Sequence, residues 1–225
     1  AWWGFQQAHE RGLVEQGQRS ISQCPRCETA IANNEVEYDH VQDPSIYVKF
    51  PLSDRDGSLV IWTTTPWTIP ANTFVAVDGE ATYQAVRAQQ GDDEEVLYLH
   101  DECVEDALEQ GGYDDYEIVA EVSGEEMVGW EYDHPLREEV PDAPDFEGAG
   151  QVYTADYVEA EDTGLVHSAP GHGEVDFERG QELGLEVYCP VQEDGTYDET
   201  AGKYAGQFVK DADEDIIADL DERGL

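Results

Sequence analysis

The stretch VIWTTTPWTIPAN, Val60 to Asn72, sets three threonines between two tryptophans and follows them with two prolines. Its first half is rich in β-branched and aromatic side chains, which suits a strand. Its second half cannot continue regularly, because Pro66 and Pro70 lack the N–H that a helix or a ladder needs. The segment therefore reads as a strand over 59–64 that runs into a stiff, irregular end carrying a row of hydroxyls.

Outward from this segment the same signals repeat. Asp54-Arg55-Asp56-Gly57 is a hairpin turn from a preceding strand in which Ile46, Val48 and Phe50 alternate. Further strands are predicted over 73–77, 82–88, 95–99, 116–122, 152–157, 164–168 and 186–191. Helices are predicted within 1–17, around Val104 and Leu108, through Val175, Arg179 and Leu183, and from Asp211 onward. In the last of these Glu214 is placed for a capping box, with Ile216, Ile217 and Leu220 on the apolar face. The Pro- and acid-rich stretch 133–150 reads as an irregular connection. Many short strands with few helices predict a mainly β (α+β) fold, a closed or distorted β-barrel with short peripheral helices. Three parts are expected: a leading segment 1–50, a barrel 51–210 and a C-terminal helix 211–225.

The 225 residues carry 53 acids and 11 bases, a formal net charge of −42. Such a charge suits disorder, but 5 Trp, 12 Tyr and 6 Phe spread along the chain supply a core. The charge then belongs to the surface, and only 3 of the 11 bases are lysine. At molar salt the Debye length is about 3 Å, so such a surface hardly repels itself. The composition implies a halophile's protein, and the acidic run Asp211 to Asp215 reads as a solvated face, not a metal site. No apolar run approaches membrane-spanning length. The chain starts at Ala1 without a signal-peptide pattern, so a processed chain or an excised piece is expected. Cys24 and Cys27 form C-P-R-C, half of a zinc knuckle or a redox pair, and no second CxxC follows.

A second segment, DTGLVHSAPGHGEVDFERG from Asp162 to Gly180, ends a strand at His167, turns at Pro170-Gly171 and opens a helix with Asp176 in its first turn. A carboxylate there is stabilised by the helix N-terminus and can take an ammonium. Three readings stand open: a polar surface loop, a metal site of His167, His172 and Asp176, and a substrate clamp.

Together the two segments resemble the editing domain inserted into isoleucyl-tRNA synthetases. WTTTPWTIPAN is similar to the threonine-rich motif of the isoleucyl, valyl and leucyl enzymes, and TGLVHSAPGHGEVDFERG to their histidine- and aspartate-bearing motif. The leading RGLVEQGQRSISQCPRCETAIANNEVEY resembles the connection into the insertion. The resemblance covers the chain from about Gly12 to its end; His167 favours the isoleucyl enzyme, and a halophilic archaeal source is expected. Asp162 departs from it, standing where the family reads Gly-Thr-Gly.

The resemblance implies hydrolysis of valine misattached to tRNA(Ile). It assigns Asp176 to the α-ammonium of the amino acid and His167 to the size limit. Thr63, Thr64 and Thr65 supply hydroxyls to adenosine, amino acid and water. Trp67, Asn72, Ser168 and Ala169 are the expected substrate contacts, with turn chemistry as the plainer role of Asn72 and Thr68. It implies no cofactor for editing; in the longer enzyme Cys24 and Cys27 would hold zinc with ligands outside this chain. The expected partners are the tRNA(Ile) 3′ end carrying valine and the remaining synthetase, on which Trp2 and Trp3 would pack. A cytoplasmic monomer with no membrane contact is expected. A non-catalytic module binding the tRNA end and a metal-dependent hydrolase are the alternatives.

Overall fold

A computed structural model of the chain describes residues 1–37 and 39–225. Tyr38, the last residue of the leading segment's resemblance, lies outside them. Helix α1 (Trp2–Glu10) precedes a small hairpin of β1 (Gln23–Cys24) and β2 (Thr29–Ala30). Then come β3 (Ile46–Pro51), β4 (Ser58–Thr63), a 3₁₀ helix over Pro66–Ala71, β5 (Phe74–Val77), β6 (Thr82–Gln90) and β7 (Asp93–His100). Helix α2 (Val104–Gly111), β8 (Asp115–Ser123), α3 (Gly124–Met127), β9 (Gln151–Thr154), β10 (Leu165–Ser168), α4 (Glu174–Glu182) and α5 (Val209–Glu222) complete the order.

The predicted hairpin forms: β3 and β4 pair antiparallel, with Ile46 opposite Thr63 and Pro51 opposite Ser58. The fold is mixed α+β and mostly β, but the expected closed barrel is absent among the described residues. One sheet has the order β3-β4-β7-β6-β8 and another β10-β5-β9; among the described residues the isolated bridges Leu52↔Tyr132 and Glu131↔Gln151 link them in place of a ladder. Strand β4 meets β7 only at Ser58 and Leu59, although it stays paired with β3 as far as Thr63, before the proline segment begins.

Side chains alternate so that Val48, Phe50, Leu59, Ile61, Val75, Val77 and Leu165 share one core with Ile216 and Leu220 of α5. Gly164, at φ +67, feeds β10; a Cβ there would lie 2.2 Å from that of His100, so only glycine fits. Asp162 also holds a left-handed φ of 53, which a short polar side chain tolerates. Its departure from glycine thus falls at a conformation glycine would adopt freely.

Three local expectations are corrected. The strand over 186–191 does not form; only Val191 makes a bridge, to Tyr197. Pro190 breaks the ladder, and the preceding backbone packs on the Pro170-Gly171 turn, where a Gly171 Cβ would sit 2.2 Å from the Tyr188 oxygen. On α4 the buried residues are Phe177 and Gly180, while Val175 is 51% exposed. Helix α5 starts at Val209, two residues before the expected cap, because the Phe208 carbonyl accepts the Asp211 and Ala212 N–H groups at 2.9 and 3.0 Å.

Strand β8 is an edge strand, and it exposes Tyr116, Ile118 and Val119. Ala120 lies opposite Ala85 and Ile118 opposite Val86, so Val119 is an unmatched residue that bulges the strand. No helix of the described residues is long and apolar enough to cross a membrane.

Several of the few bases are already paired, as in Lys49–Glu95 at 2.9 Å, Lys210–Asp43 at 3.0 Å and Arg223–Glu139 at 2.7 Å. The excess negative charge therefore repels itself once salt is withdrawn. Transfer from about 2 M to about 0.1 M KCl lengthens the Debye distance to about 10 Å. It should lower Tm by on the order of 10 °C in a calorimetric scan. An unchanged Tm would remove surface repulsion as a force on this fold.

Candidate active site

Of the three adjacent threonines, Thr63 and Thr65 converge and Thr64 turns away. Thr63 ends β4 with its side chain buried, and its Oγ1 accepts the Thr65 N–H at 3.0 Å. The Thr65 hydroxyl lies 3.2 Å from that of Thr63 and 3.5 Å from that of Thr68. Thr64 points out of the protein and is exposed. The chain then enters the 3₁₀ helix, with Thr65 as its N-cap and Pro66 in its first turn.

His167 joins this segment to the second motif. Strand β10 pairs with β5, and at His167↔Val75 the ring points to the core side. The Asn72 amide donates to Nδ1 at 2.8 Å, so Nε2 carries the proton and donates to the Thr68 hydroxyl, also at 2.8 Å. Thr68 in turn donates to the Thr65 carbonyl at 2.8 Å. The Asn72 amide also donates to the Phe74 carbonyl at 3.1 Å, and its oxygen accepts the Tyr132 hydroxyl at 2.5 Å. Every polar atom of the relay has a partner, and the imidazole is held as one neutral tautomer. Burial, followed by the neighbouring His134 and His172, lowers its pKa to about 3.

Ser168 and Ala169 face elsewhere. Ser168 is fully buried on the other face of β10, 3.2 Å from the Tyr157 hydroxyl. The Ala169 N–H donates to Asp176 Oδ2 at 3.0 Å, fixing the carboxylate of α4 against the strand end. Burial raises the Asp176 pKa above the usual carboxylate range, opposed by the Ala169 and Ser168 hydrogen bonds. Among the described residues no Lys or Arg pairs with it: nearby Arg179 binds Glu182 at 2.9 Å and the Thr154 carbonyl at 2.5 Å instead. Nor does Asp176 hydrogen-bond Thr63, Thr64 or Thr65.

Trp67, Pro170, Gly171, His172 and Phe177 line a cleft of about 390 Å³ together with Arg19 and Ile21 of the leading segment; Thr63, Thr64, Thr65, His167 and Asp176 do not line it. The Trp67 and His172 rings meet edge to face at 5.4 Å. Trp67 Nε1 and His172 Nε2 are buried and have no hydrogen-bond partner among the described residues. Burial holds the His172 pKa down to about 4. His167, His172 and Asp176 do not converge as a metal set; among the described residues no group of three or more such side chains does.

Cys24 and Cys27 sit on the β1–β2 hairpin, where the Cys24 carbonyl accepts the Cys27 and Glu28 N–H groups at 3.2 and 2.8 Å. The Cys27 backbone N–H draws the Cys24 thiol pKa down, while the facing Cys24 thiol pushes that of Cys27 up. Two thiols on one tight turn fit half of a tetrahedral zinc site.

Residues 1–201 match the family described as tRNA synthetases class I (I, L, M and V). The chain belongs to the class I tRNA synthetases. It is 73% identical over 225 residues to the isoleucine--tRNA ligase of Natronomonas pharaonis, covering 100% of this chain and 21% of that protein. It is 72% identical, with the same coverage, to that of Haloarcula marismortui. It thus spans about a fifth of the length of these relatives. The crystal structure of GlLeuRS-CP1 shares the fold, with a TM-score of 0.60 at 15% identity, covering 80% of this chain and 96% of that one. The resemblance to isoleucyl enzymes of halophilic archaea is borne out.

The candidate site also contains residues that sequence reasoning passed over. Tyr132, which stands just before the stretch read as a connection, anchors the relay. The acidic run Asp211 to Asp215 reads as a solvated face, but Asp213 is 4% exposed and accepts the Trp67 N–H at 2.9 Å. The Tyr197 hydroxyl donates to the Trp67 carbonyl. A signal for Asp213 was available: Val209, Ala212, Asp213, Ile216, Asp219 and Leu220 fall on one helical stripe, so two carboxylates share the buried face.

Proposed function

We propose that this chain is the part of an isoleucyl-tRNA synthetase that hydrolyses valine misattached to the 3′ end of tRNA(Ile). The observation that carries the reading is Asp176, a carboxylate fixed by the Ala169 N–H at 3.0 Å with no Lys or Arg paired to it among the described residues, one position before Phe177 of the cleft. One methylene in an apolar pocket is worth about 1 to 3 kcal/mol, a magnitude established on isoleucine and valine themselves and not obtained from this chain. A second, hydrolytic sieve makes up the deficit.

Asp176 holds the α-ammonium of the aminoacyl ester, which supplies the counter-charge that its environment lacks. His167, neutral and fixed at both nitrogens, is a rigid wall that sets the size limit. Its depressed pKa and engaged Nδ1 make it a poor general base. The Thr64 hydroxyl faces outward, and Thr63 and Thr65 lie beside it; these orient the ester and the attacking water. The chemistry rests on orientation and polarisation, with the free ribose hydroxyl of the tRNA assisting. Residues 51–210 carry the deacylating residues, and 1–50 and 211–225 lead to the remaining synthetase in a cytoplasmic monomer while β3 and α5 pack into the same core. Zinc, held by Cys24 and Cys27 with further ligands from that remainder, supplies a structural cross-link and takes no part in hydrolysis.

The test is deacylation of valyl- and isoleucyl-tRNA(Ile) by the intact synthetase at molar KCl. The valyl ester should be hydrolysed and the isoleucyl ester spared. His167→Ala should raise isoleucyl-tRNA hydrolysis at least about 10-fold, the worth of one methylene's exclusion. Intact valyl-tRNA after incubation with the unmodified enzyme would defeat the proposal and favour a module that only holds the tRNA end.

A further inference from the structure

Thr65 is the N-cap of the 3₁₀ helix over Pro66–Ala71, and its side chain does not cap. A threonine at this position ordinarily turns its hydroxyl onto an N–H of the first turn. Here the first-turn groups are satisfied otherwise. Pro66 has no N–H, and the Thr68 N–H goes to the Thr65 carbonyl at 3.0 Å. The remaining donor, the Trp67 N–H, is taken at 2.9 Å by Asp213, a side chain 146 positions later on α5. The Thr65 hydroxyl is left to its neighbours Thr63 and Thr68.

We infer that Asp213 is a positioning residue: it caps the 3₁₀ helix in place of Thr65 and so keeps the Thr65 hydroxyl available to the bound ester. This rests on the proposed hydrolysis, but its geometry does not. Asp213 is the buried member of an acidic run, and Lys210 approaches its other oxygen only to 4.0 Å. Its hydrogen bond to the threonine segment is therefore its principal contact. The Tyr197 hydroxyl holds the carbonyl of the same residue, so the Trp67 peptide is gripped at both ends. Without Asp213 the Trp67 N–H becomes an orphan donor, and the nearest replacement is Thr65 itself.

The experiment is a double-mutant cycle in the intact synthetase, read by two independent measurements. Asp213→Ala should lower kcat for valyl-tRNA hydrolysis about 10-fold with KM within about 2-fold, because a group is misplaced and binding is not lost. Asp213→Asn keeps the acceptor and should restore kcat to within about 3-fold of the wild type. In a Thr65→Val background, Asp213→Ala should change kcat by less than about 2-fold, since the hydroxyl it releases is gone. Ile216→Val, which thins the core face of the same helix, should leave kcat within about 2-fold of the wild type.

Amide exchange at Trp67 gives the second readout. Either single variant retains one cap, whereas Asp213→Ala with Thr65→Val retains none and should exchange at least about 10-fold faster. Independent, multiplicative kinetic effects, or a double variant that exchanges no faster than Asp213→Ala alone, would overturn the assignment. If the wild type hydrolyses no valyl-tRNA, the proposed function falls and the exchange cycle still decides the role of Asp213.

Discussion

Replacing Asp176 by alanine lowers valyl-tRNA hydrolysis by about 100-fold or more. The estimate follows from removing one member of a charge-assisted pair in a partly desolvated site, which costs about 2 to 5 kcal/mol. The asparagine variant is more telling. Asp176→Asn keeps an oxygen for the Ala169 N–H, now accepted at 3.0 Å, but has no charge for an ammonium. Its activity should fall nearly as far as that of alanine. Its stability should not fall, because burial already disfavours the ionised carboxylate in the fold. The check is single-turnover deacylation beside denaturant unfolding. An asparagine variant with wild-type deacylation would remove the ammonium clamp from the mechanism.

Mild acid should destabilise the protein before its carboxylates titrate. His167 and His134 each use Nδ1 as an acceptor, from the Asn72 amide at 2.8 Å and the Leu136 N–H at 3.1 Å. Each uses Nε2 as a donor, His134 to the Ile69 carbonyl at 3.1 Å. Protonation would break the accepting bond and charge a buried ring, so burial lowers the two pKa values to about 3 and about 4. The unfolded chain protonates these rings near pH 6.5 and the folded one does not. Their contribution is therefore whole above about pH 6.5 and shrinks as pH falls toward the folded values. At pH 5.5 the two together cost at most about 3 kcal/mol, and His172 acts in the same direction. Denaturant midpoints at pH 7.5 and 5.5, at constant molar KCl, measure this. His167→Gln should reduce the difference by about a third. Equal midpoints would show that the rings are accessible to protons in the folded state.

The sequence was most legible where local chemistry dictates geometry. The prolines after Thr65 stop a strand wherever they occur, and Asp54 to Gly57 can hardly do other than turn, so β3, β4 and the segment between β4 and β5 could be anticipated. Non-local choices were not legible. Glu186 to Val191 has the composition of a strand, but Tyr188 and Cys189 abut Gly171 and Pro190 prevents pairing. The start of α5 was misplaced because Asp211 and Glu214 form an attractive capping pattern, whereas the Phe208 backbone begins the helix with no side-chain help. Barrel closure depends on whether β4 stays beside β7 beyond Leu59, and composition carries no information about that. For the site, Thr63 to Thr65, His167 and Asp176 stand out as residue types. Which of them keep a free group could be seen only once Tyr132, Thr68 and Asp213 had arrived from distant parts of the chain.

The bulge at Val119 has a consequence for life in brine. Acidic side chains such as Glu117 and Glu121 discourage a second chain from docking on an open sheet margin, but concentrated ions blunt that deterrent. A misaligned backbone is indifferent to ionic strength. By throwing its own spacing out of step halfway along, the outermost ribbon denies any neighbour a long straight template, and this steric guard persists where the electrostatic one fades.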